Sequence, residues 1–122
     1  MSEKKTILVV DDTPENIQVL TTVLGPQYKV KAATTGEKAL GICATDPIPD
    51  LVLLDVVMPG MDGFEVCRRL KSDSRTAPIP VIFVTSNTDA NDEAKGREIG
   101  AVDYVTKPID PAALLASVAR HI

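Results

Sequence analysis

The chain has 122 residues and a formal net charge of -4, with 44% hydrophobic and 25% charged residues. This length fits one domain, residues 1–122, whose core needs no metal or disulfide to hold it, and the composition argues against global disorder. The mild acidity weighs against direct, non-specific binding to nucleic acid or to an anionic membrane surface.

The cysteines and the N-terminus indicate an intracellular protein. Cys43 and Cys67 lack the short spacing of a zinc site, so we interpret both as reduced thiols on helix faces. The apolar run that follows Met1–Lys5 is too short for a signal-peptide core, and no stretch approaches the roughly 20 apolar residues of a membrane span. The sequence therefore predicts a cytoplasmic location and no membrane partner.

The first predicted elements are a buried strand and an amphipathic helix. The run Thr6–Asp11 is rich in β-branched residues, which favours a strand. Thr13 and Pro14 open a helix, since proline suits the first helical turn, and Gly25 with Pro26 ends it. Its apolar residues fall on one face: Ile17, Leu20, Val23 and Leu24.

A second strand and helix follow. Tyr28–Ala33 alternates apolar and polar residues, which is typical of a strand with one less buried side. Thr34 and Glu37 have the spacing of a capping box. The helix that they would open presents an apolar stripe of Ala39, Leu40, Ile42 and Cys43.

Two wholly apolar runs, Leu51–Leu54 and Val81–Val84, predict central strands that are buried on both faces. Between them, Asp62 and Glu65 have the spacing of the N-cap and N3 positions of a third helix. The inner face of that helix would hold Phe64, Val66, Cys67 and Leu70.

The last elements are a polar helix, a short strand and a final helix. Asp92–Ile99 predicts the fourth helix, which Gly100 ends and which offers the core little besides Ala94 and Ile99. Ala101–Val105 predicts the fifth strand, and Asp110 with Pro111 opens the fifth helix, whose buried stripe is Leu114, Leu115 and Val118. Five βα units in succession predict an α/β fold with a parallel sheet, helices on both faces and right-handed crossovers.

Polar residues follow the apolar runs at the points where the strands should end. These residues are Asp11, Asp12, Asp55, Thr85 and Lys107. In an open α/β sheet the carboxyl ends of the strands form the ligand-binding edge. Taken singly, each residue has a simpler interpretation: the first two aspartates could only cap a helix, and the threonine and lysine could be ordinary strand-end and surface residues. Together they predict a site for a cation and a phosphoryl group.

The chemistry of this set favours phosphoryl transfer. Carboxylates brought close together repel unless a cation lies between them, and Mg²⁺ prefers oxygen ligands. Asp55 stands between an apolar strand and a loop, where its carboxylate can act as a nucleophile toward a phosphoryl donor. Such an attack needs neutralisation of the phosphoryl oxygens, which the Thr85 hydroxyl and the Lys107 ammonium can supply.

These residues resemble, over essentially the whole chain, the receiver domain of bacterial two-component response regulators. The resemblance rests on an ordered set of segments: Val9–Asp12, Asp55–Gly63, Thr85–Ser86 and Lys107–Pro108. It implies a flavodoxin-like (βα)5 fold with a five-stranded sheet in the order 2-1-3-4-5. It also implies a phosphorylatable switch that catalyses only its own phosphorylation and dephosphorylation and is not otherwise an enzyme.

The resemblance assigns the metal ligands and the phosphoacceptor. Asp55 would accept a phosphoryl group from a histidine kinase or a phosphotransfer protein. Asp12 and Asp55 would ligate Mg²⁺ directly, with Mn²⁺ as a substitute, and Asp11 would act through water. Val57 would supply a backbone carbonyl ligand.

The resemblance also implies a route for the signal. Thr85 and Lys107 would contact the phosphoryl oxygens, and a cis peptide would join Lys107 to Pro108. Thr85 and Tyr104 would form a switch pair in which the tyrosine turns inward on phosphorylation. The surface of the fourth helix, fifth strand and fifth helix would then contact an output domain, a protein partner or a second copy of the chain.

Three residues near the site are expected to tune the lifetime of the phosphorylated state. These are Val57, Ser86, which stands where many receivers carry alanine, and Asn87. The sequences around Asp55 and Lys107–Asp110 are also similar to receivers that precede cyclic-dinucleotide enzymes.

Two other classes of protein remain as alternatives. A phosphotransferase or phosphatase with an aspartyl intermediate typically needs a second aspartate two residues after the nucleophile, where this chain has Val57. A flavodoxin-like nucleotide carrier should have a loop rich in Gly, Ser and Thr after its first strand. The loop Asp11–Pro14 would instead repel phosphate unless a cation were bound.

Overall fold

A computed structural model describes residues 4–86 and 90–122, in which five strands alternate with five helices. The strands are Thr6–Val10 (β1), Lys29–Ala33 (β2), Leu51–Leu54 (β3), Val81–Thr85 (β4) and Asp103–Thr106 (β5). The helices are Pro14–Leu24 (α1), Gly36–Cys43 (α2), Gly63–Ser72 (α3), Ala90–Ile99 (α4) and Pro111–His121 (α5). In the described part of the chain, no helix has the length and apolar character needed to cross a membrane.

All neighbouring strands are parallel, in the order β2-β1-β3-β4-β5, which confirms the predicted fold class. The register brings the carboxyl ends of the central strands level, because Val10 pairs with Leu54 and Leu54 pairs with Phe83. The residues that follow β1 and β3 therefore come out at the same edge of the sheet.

The sheet separates two apolar layers, because successive side chains of a strand point to opposite faces. Ile7, Val9, Leu51 and Leu53 pack with α1 and α5, while Leu8, Val10, Val52 and Leu54 pack with α2 and α3. Both cysteines are buried in the second layer as free thiols, and burial raises the pKa of Cys43 to about 11 and also raises the pKa of Cys67.

Helix caps agree with the sequence at two of three predicted positions. The Asp62 carboxylate accepts a hydrogen bond from the Glu65 N–H at 2.9 Å, and Asp110 caps α5 through the Ala112 N–H at 3.1 Å. The predicted pair of Thr34 and Glu37 is wrong by one residue. Thr35 is the N-cap of α2 and accepts from the Lys38 N–H at 3.2 Å, since α2 begins at Gly36.

The fourth helix packs differently from the prediction. It begins at Ala90, and Ala94 is exposed, so that Ala94 contributes nothing to the core. The buried position is Gly96, where a Cβ would lie 2.9 Å from two ring carbons of Phe83. Ile99 packs on the core as expected. The helix packs on the sheet through a glycine, and a pattern of hydrophobic residues does not reveal a buried glycine.

The fifth strand starts two residues later than predicted. The Ala101 N–H bonds back to the Gly96 carbonyl at 3.0 Å, so residue 101 still belongs to the turn that ends α4. The pairing of β5 with β4 begins at Asp103, opposite Ile82. On α5, Leu115 is only partly buried, and Ser117 shares the buried face with Leu114 and Val118.

Candidate metal and phosphoryl site

Three of the predicted site residues meet at the carboxyl edge of the sheet. Asp11 follows β1, Asp55 follows β3 and Lys107 follows β5. The Lys107 ammonium lies 2.8 Å from Oδ2 of Asp11 and 3.5 Å from Oδ2 of Asp55. One cation therefore bridges two carboxylates whose residues are only 1% and 7% exposed.

The Asp11 carboxylate is held on both of its oxygens. Its Oδ1 accepts hydrogen bonds from the Thr13 N–H at 2.9 Å and from the Asn16 side-chain amide at 3.4 Å, while Oδ2 faces Lys107. These bonds satisfy a carboxylate that would be costly to bury alone. Asn16 was not singled out from the sequence. The available signal was a polar amide in the first turn of α1, four residues after Asp12.

Asp12 completes an acidic group at the edge. Its side chain is exposed, and one carboxylate oxygen from each of Asp11, Asp12 and Asp55 lies within 4.8 Å of the other two. Three hard oxygen donors at this separation fit a small divalent cation that keeps several of its waters. The donor set contains neither thiolate nor imidazole, which makes it unlike a zinc site.

The Asp55 carboxylate lies in a partly desolvated position beside two charged neighbours. Burial raises its pKa, the Lys107 ammonium lowers it, and the Asp11 charge raises it again, with a net raised pKa. Its Oδ1 accepts from the Val57 N–H at 3.3 Å, and its own N–H donates to the Val10 carbonyl at 3.0 Å. The side chain is thus fixed from both its backbone and its carboxylate end.

A glycine allows the chain to fold tightly behind Asp55. A Cβ on Gly63 would lie 2.1 Å from the Asp55 carbonyl oxygen, and the Gly63 N–H donates to the Val56 carbonyl at 2.8 Å. No side chain fits there, so the first residue of α3 can approach Asp55 this closely only as glycine. In the sequence Gly63 appears only as the end of the segment Asp55–Gly63, and the close approach depends on tertiary structure.

The two predicted switch residues lie on the neighbouring strands. Thr85 ends β4 with its side chain fully buried, and its carbonyl accepts from the Lys107 N–H at 2.8 Å, which ties β4 to the lysine. Tyr104 on β5 is 9% exposed, and its ring centroid lies 6.1 Å from that of Phe83. The tyrosine is therefore packed inside in this structure, beside the strand that carries Thr85.

The remaining predicted positions surround the site. The peptide bond between Lys107 and Pro108 is cis. Val57 projects a side chain that is 65% exposed, and Ser86 is exposed after β4. Asn87 lies outside the described residues.

The strand order, with acidic and basic side chains at the carboxyl edge of the sheet, places the chain in the flavodoxin-like class of α/β proteins. The sequence profile of the response regulator receiver domain matches residues 7–119. The chain belongs to this family, whose members are the receiver domains of two-component response regulators.

Curated relatives place the chain among receivers of several kinds of regulator. The response regulator PleD of Caulobacter vibrioides is 49% identical over 113 residues, which are 92% of this chain and 25% of PleD. A Vibrio cholerae protein named "Probable cyclic di-GMP phosphodiesterase" is 49% identical over 117 residues, 96% of this chain and 26% of that protein. The chain thus spans about a quarter of these relatives. Protein PilH of Pseudomonas aeruginosa, 40% identical, is matched over 92% of this chain and 93% of its own length.

Solved structures show the same fold. The chemotaxis protein CheY4 of Vibrio cholerae superposes with a TM-score of 0.91 at 28% identity, covering 98% of this chain and all of that one. The response regulator DrrB of Thermotoga maritima gives a TM-score of 0.84 at 36% identity, over 97% of this chain and 52% of DrrB.

Proposed function

We propose that this receiver is switched by phosphorylation of Asp55, in a Mg²⁺-dependent reaction with a histidine kinase or a phosphotransfer protein as donor. The observation that carries the proposal is the bridge of Lys107 between Asp11 and Asp55 at the edge of the sheet. This bridge supports the proposal because it joins the residues proposed as nucleophile, metal ligand and phosphoryl-binding cation in one hydrogen-bonded group.

The acidic group is the proposed metal site. Asp12 and Asp55 would bind the cation directly, Asp11 would bind one of its waters, and the Val57 carbonyl would complete the protein ligands. Mn²⁺ would substitute for Mg²⁺ because it accepts the same oxygen donors. When bound, the cation neutralises charge on the transferring phosphoryl group.

Phosphoryl transfer needs little from the protein except placement and charge. The ionised Asp55 carboxylate attacks the donor phosphorus in line, one O–P bond forms as the donor's N–P bond breaks, and the leaving imidazole keeps the electron pair. The Lys107 ammonium and the Thr85 hydroxyl would bind the phosphoryl oxygens.

The proposed readout is the surface formed by α4, β5 and α5. Asp103 links these three elements, accepting from Ser117 Oγ at 2.5 Å and from an Arg120 guanidinium nitrogen at 3.1 Å, with Arg97 of α4 at 3.7 Å. Burial alone would raise the Asp103 pKa, but these bonds and the Tyr104 N–H outweigh it and lower the pKa. The switch tyrosine therefore follows a residue that is bonded to α5 and lies near α4.

This surface would transmit the change at Thr85 and Tyr104 to an output domain, a protein partner or a second copy of the chain. About two negative charges added at Asp55 would draw Thr85 toward the phosphoryl group and shift the balance between two states of Tyr104. Val57, Ser86 and Asn87 would set how long the phosphoryl group persists. The chain itself would catalyse no reaction beyond its own phosphorylation and dephosphorylation.

The first test is labelling by a small-molecule phosphodonor in the presence of Mg²⁺, followed by intact-protein mass spectrometry. The wild-type chain should gain one phosphoryl group, and Asp55→Asn should gain none because the nucleophile is lost. Asp46→Asn is the matched control, since Asp46 is exposed in a loop away from the site. Unchanged labelling of Asp55→Asn would overturn the assignment.

The second test concerns the readout surface. Beryllium fluoride, which mimics a phosphoryl group, should shift backbone amide NMR signals of α4, β5 and α5 as well as those around Asp55. The same titration of Asp55→Asn should leave the spectrum unchanged. Shifts confined to the loops around Asp55 would contradict the proposed transmission.

A further inference from the structure

Asn16 occupies a position that the phosphorylation chemistry described above does not use. It lies half-buried in the first turn of α1, and its side-chain amide donates to Oδ1 of Asp11 at 3.4 Å. Within the described residues, no other side chain donates a hydrogen bond to that oxygen. The second donor to Oδ1 is the Thr13 N–H, which belongs to the backbone and is present whatever the side chain.

The two oxygens of Asp11 have separate sets of partners. Oδ1 is turned toward the start of α1 by Thr13 and Asn16, and Oδ2 is turned toward Lys107. A carboxylate with donors on one oxygen resists rotation about its Cβ–Cγ bond. Because the Lys107 ammonium also lies 3.5 Å from Asp55, this arrangement keeps Oδ2 on the side of Asp11 that faces Lys107 and Asp55.

Asparagine has a low propensity for the interior of a helix because its amide competes for backbone hydrogen bonds, but in the first turn the amide can bond to a group that precedes the helix. The amide of Asn16 reaches back over the loop between β1 and α1 to Asp11. The contact with the carboxylate gives this residue a role that alanine or leucine would not fill.

We propose that Asn16 is a positioning residue for the metal site: its amide orients the Asp11 carboxylate so that Oδ2 is presented to the divalent cation and its waters. This inference rests on the proposed function, since it assumes that Asp11 serves a bound cation. Partners that orient metal ligands typically contribute about 10–100-fold in metal affinity. The Thr13 N–H remains in any variant, so the lower end of that range, about tenfold, is expected.

The test is the affinity for Mn²⁺, measured by electron paramagnetic resonance on the wild type, Asn16→Ala and Asn16→Leu. Both variants lack the donor, but leucine keeps the approximate volume of asparagine. Both should bind Mn²⁺ about tenfold more weakly than the wild type. Gln18→Ala, an exposed change on the same helix, should stay within about twofold, a change of less than about half a kcal/mol.

A second readout separates positioning from a general loss of structure. The initial rate of phosphorylation by a small-molecule donor is measured as a function of Mg²⁺. A positioning role raises the Mg²⁺ concentration at half-maximal rate about tenfold and leaves the rate at saturating Mg²⁺ within about twofold of the wild type. A damaged fold lowers the saturated rate as well, and that result would overturn the inference.

The outcomes distinguish this inference from the proposed function. Wild-type affinity for Mn²⁺ in both Asn16 variants would overturn the role of Asn16 and leave phosphorylation of Asp55 intact. A loss in only one of the two variants would point to packing instead of the donor and would also overturn it. Failure of the wild-type chain to bind Mn²⁺ would overturn both proposals.

Discussion

At the scale of single residues, burial and neighbouring charges together set the pKa of Asp55. Asp55 loses hydration and faces the negative Asp11, and the Lys107 ammonium at 3.5 Å only partly offsets these effects. The net result is a raised pKa, so ionised Asp55 lowers the stability of the folded state. The same ionised carboxylate is the proposed nucleophile. The charge that lowers the stability of the folded state is therefore the charge that the proposed reaction requires.

Asp55→Asn should therefore raise the thermal unfolding midpoint in metal-free buffer near neutral pH. A raised pKa means that the folded state holds the proton more tightly than the unfolded state, whose reference value is 3.8. The wild type is most stable, relative to the variant, below that value and loses stability as the pH rises through the folded-state pKa. The measurement is the midpoint difference between the two proteins as a function of pH, which should grow from low pH to neutrality. A difference that does not change with pH would contradict the prediction.

At the scale of elements, two helix-interior glycines have opposite surroundings. Gly96 on α4 is buried against Phe83, whose ring centroid lies 5.3 Å from that of Phe64 and 6.1 Å from that of Tyr104. Gly41 on α2 is exposed, and a Cβ there would have no atom within 4 Å. Gly96 lets α4 approach the aromatic residues beside Tyr104, whereas Gly41 has no steric requirement.

Gly96→Ala and Gly41→Ala should change stability in opposite directions. Alanine improves helix propensity by about 1 kcal/mol at either position, but overpacking against Phe83 costs typically about 1–3 kcal/mol. We expect Gly41→Ala to raise the free energy of unfolding by about 0.5–1 kcal/mol and Gly96→Ala to lower it by up to about 2 kcal/mol, the overpacking cost less the gain in propensity. Urea unfolding of both variants checks this. A stabilised Gly96→Ala would show that α4 can move outward at no cost.

At the scale of the whole molecule, the parallel sheet gathers charge from distant parts of the chain. Asp11 and Lys107 are separated by 96 residues in sequence, yet their side chains are 2.8 Å apart. The buried strands between them carry no charge of their own at the centre of the sheet. A cation bound by the acidic group at this edge would stabilise the entire domain, because it would bind the folded chain and not the unfolded one.

Mg²⁺ should stabilise the folded chain as a whole. At a concentration 100 times its dissociation constant, a ligand that binds only the folded state raises the free energy of unfolding by about 2.7 kcal/mol. Chemical unfolding with Mg²⁺, and again after addition of EDTA, should show this gain and its loss. Asp12→Asn removes a proposed ligand from an exposed position and should lose most of the gain while keeping the metal-free stability. An equal gain in wild type and Asp12→Asn would place the cation elsewhere.

The sequence by itself determined the order and type of the elements. Short, wholly apolar runs such as Leu51–Leu54 favour a strand that is buried on both faces, and local caps such as Asp62 depend only on neighbours in the chain. The sequence also determined which residues would come to the edge, because they directly follow those runs. Those signals depend on residues that are close in sequence, so they can be recognised without knowledge of the fold.

Tertiary structure decided the contacts between residues far apart in sequence or across different layers. The bridge from Lys107 to two carboxylates, the burial of Gly96 instead of Ala94, and the close approach of Gly63 to Asp55 all depend on how helices and loops pack over the sheet. The contact of Asn16 with Asp11 across a loop is another that only the tertiary structure decides. Hydrophobic periodicity indicates which face of an element is buried. The distances and directions between polar groups depend on how the helices pack on the sheet, so the sequence pattern does not give them.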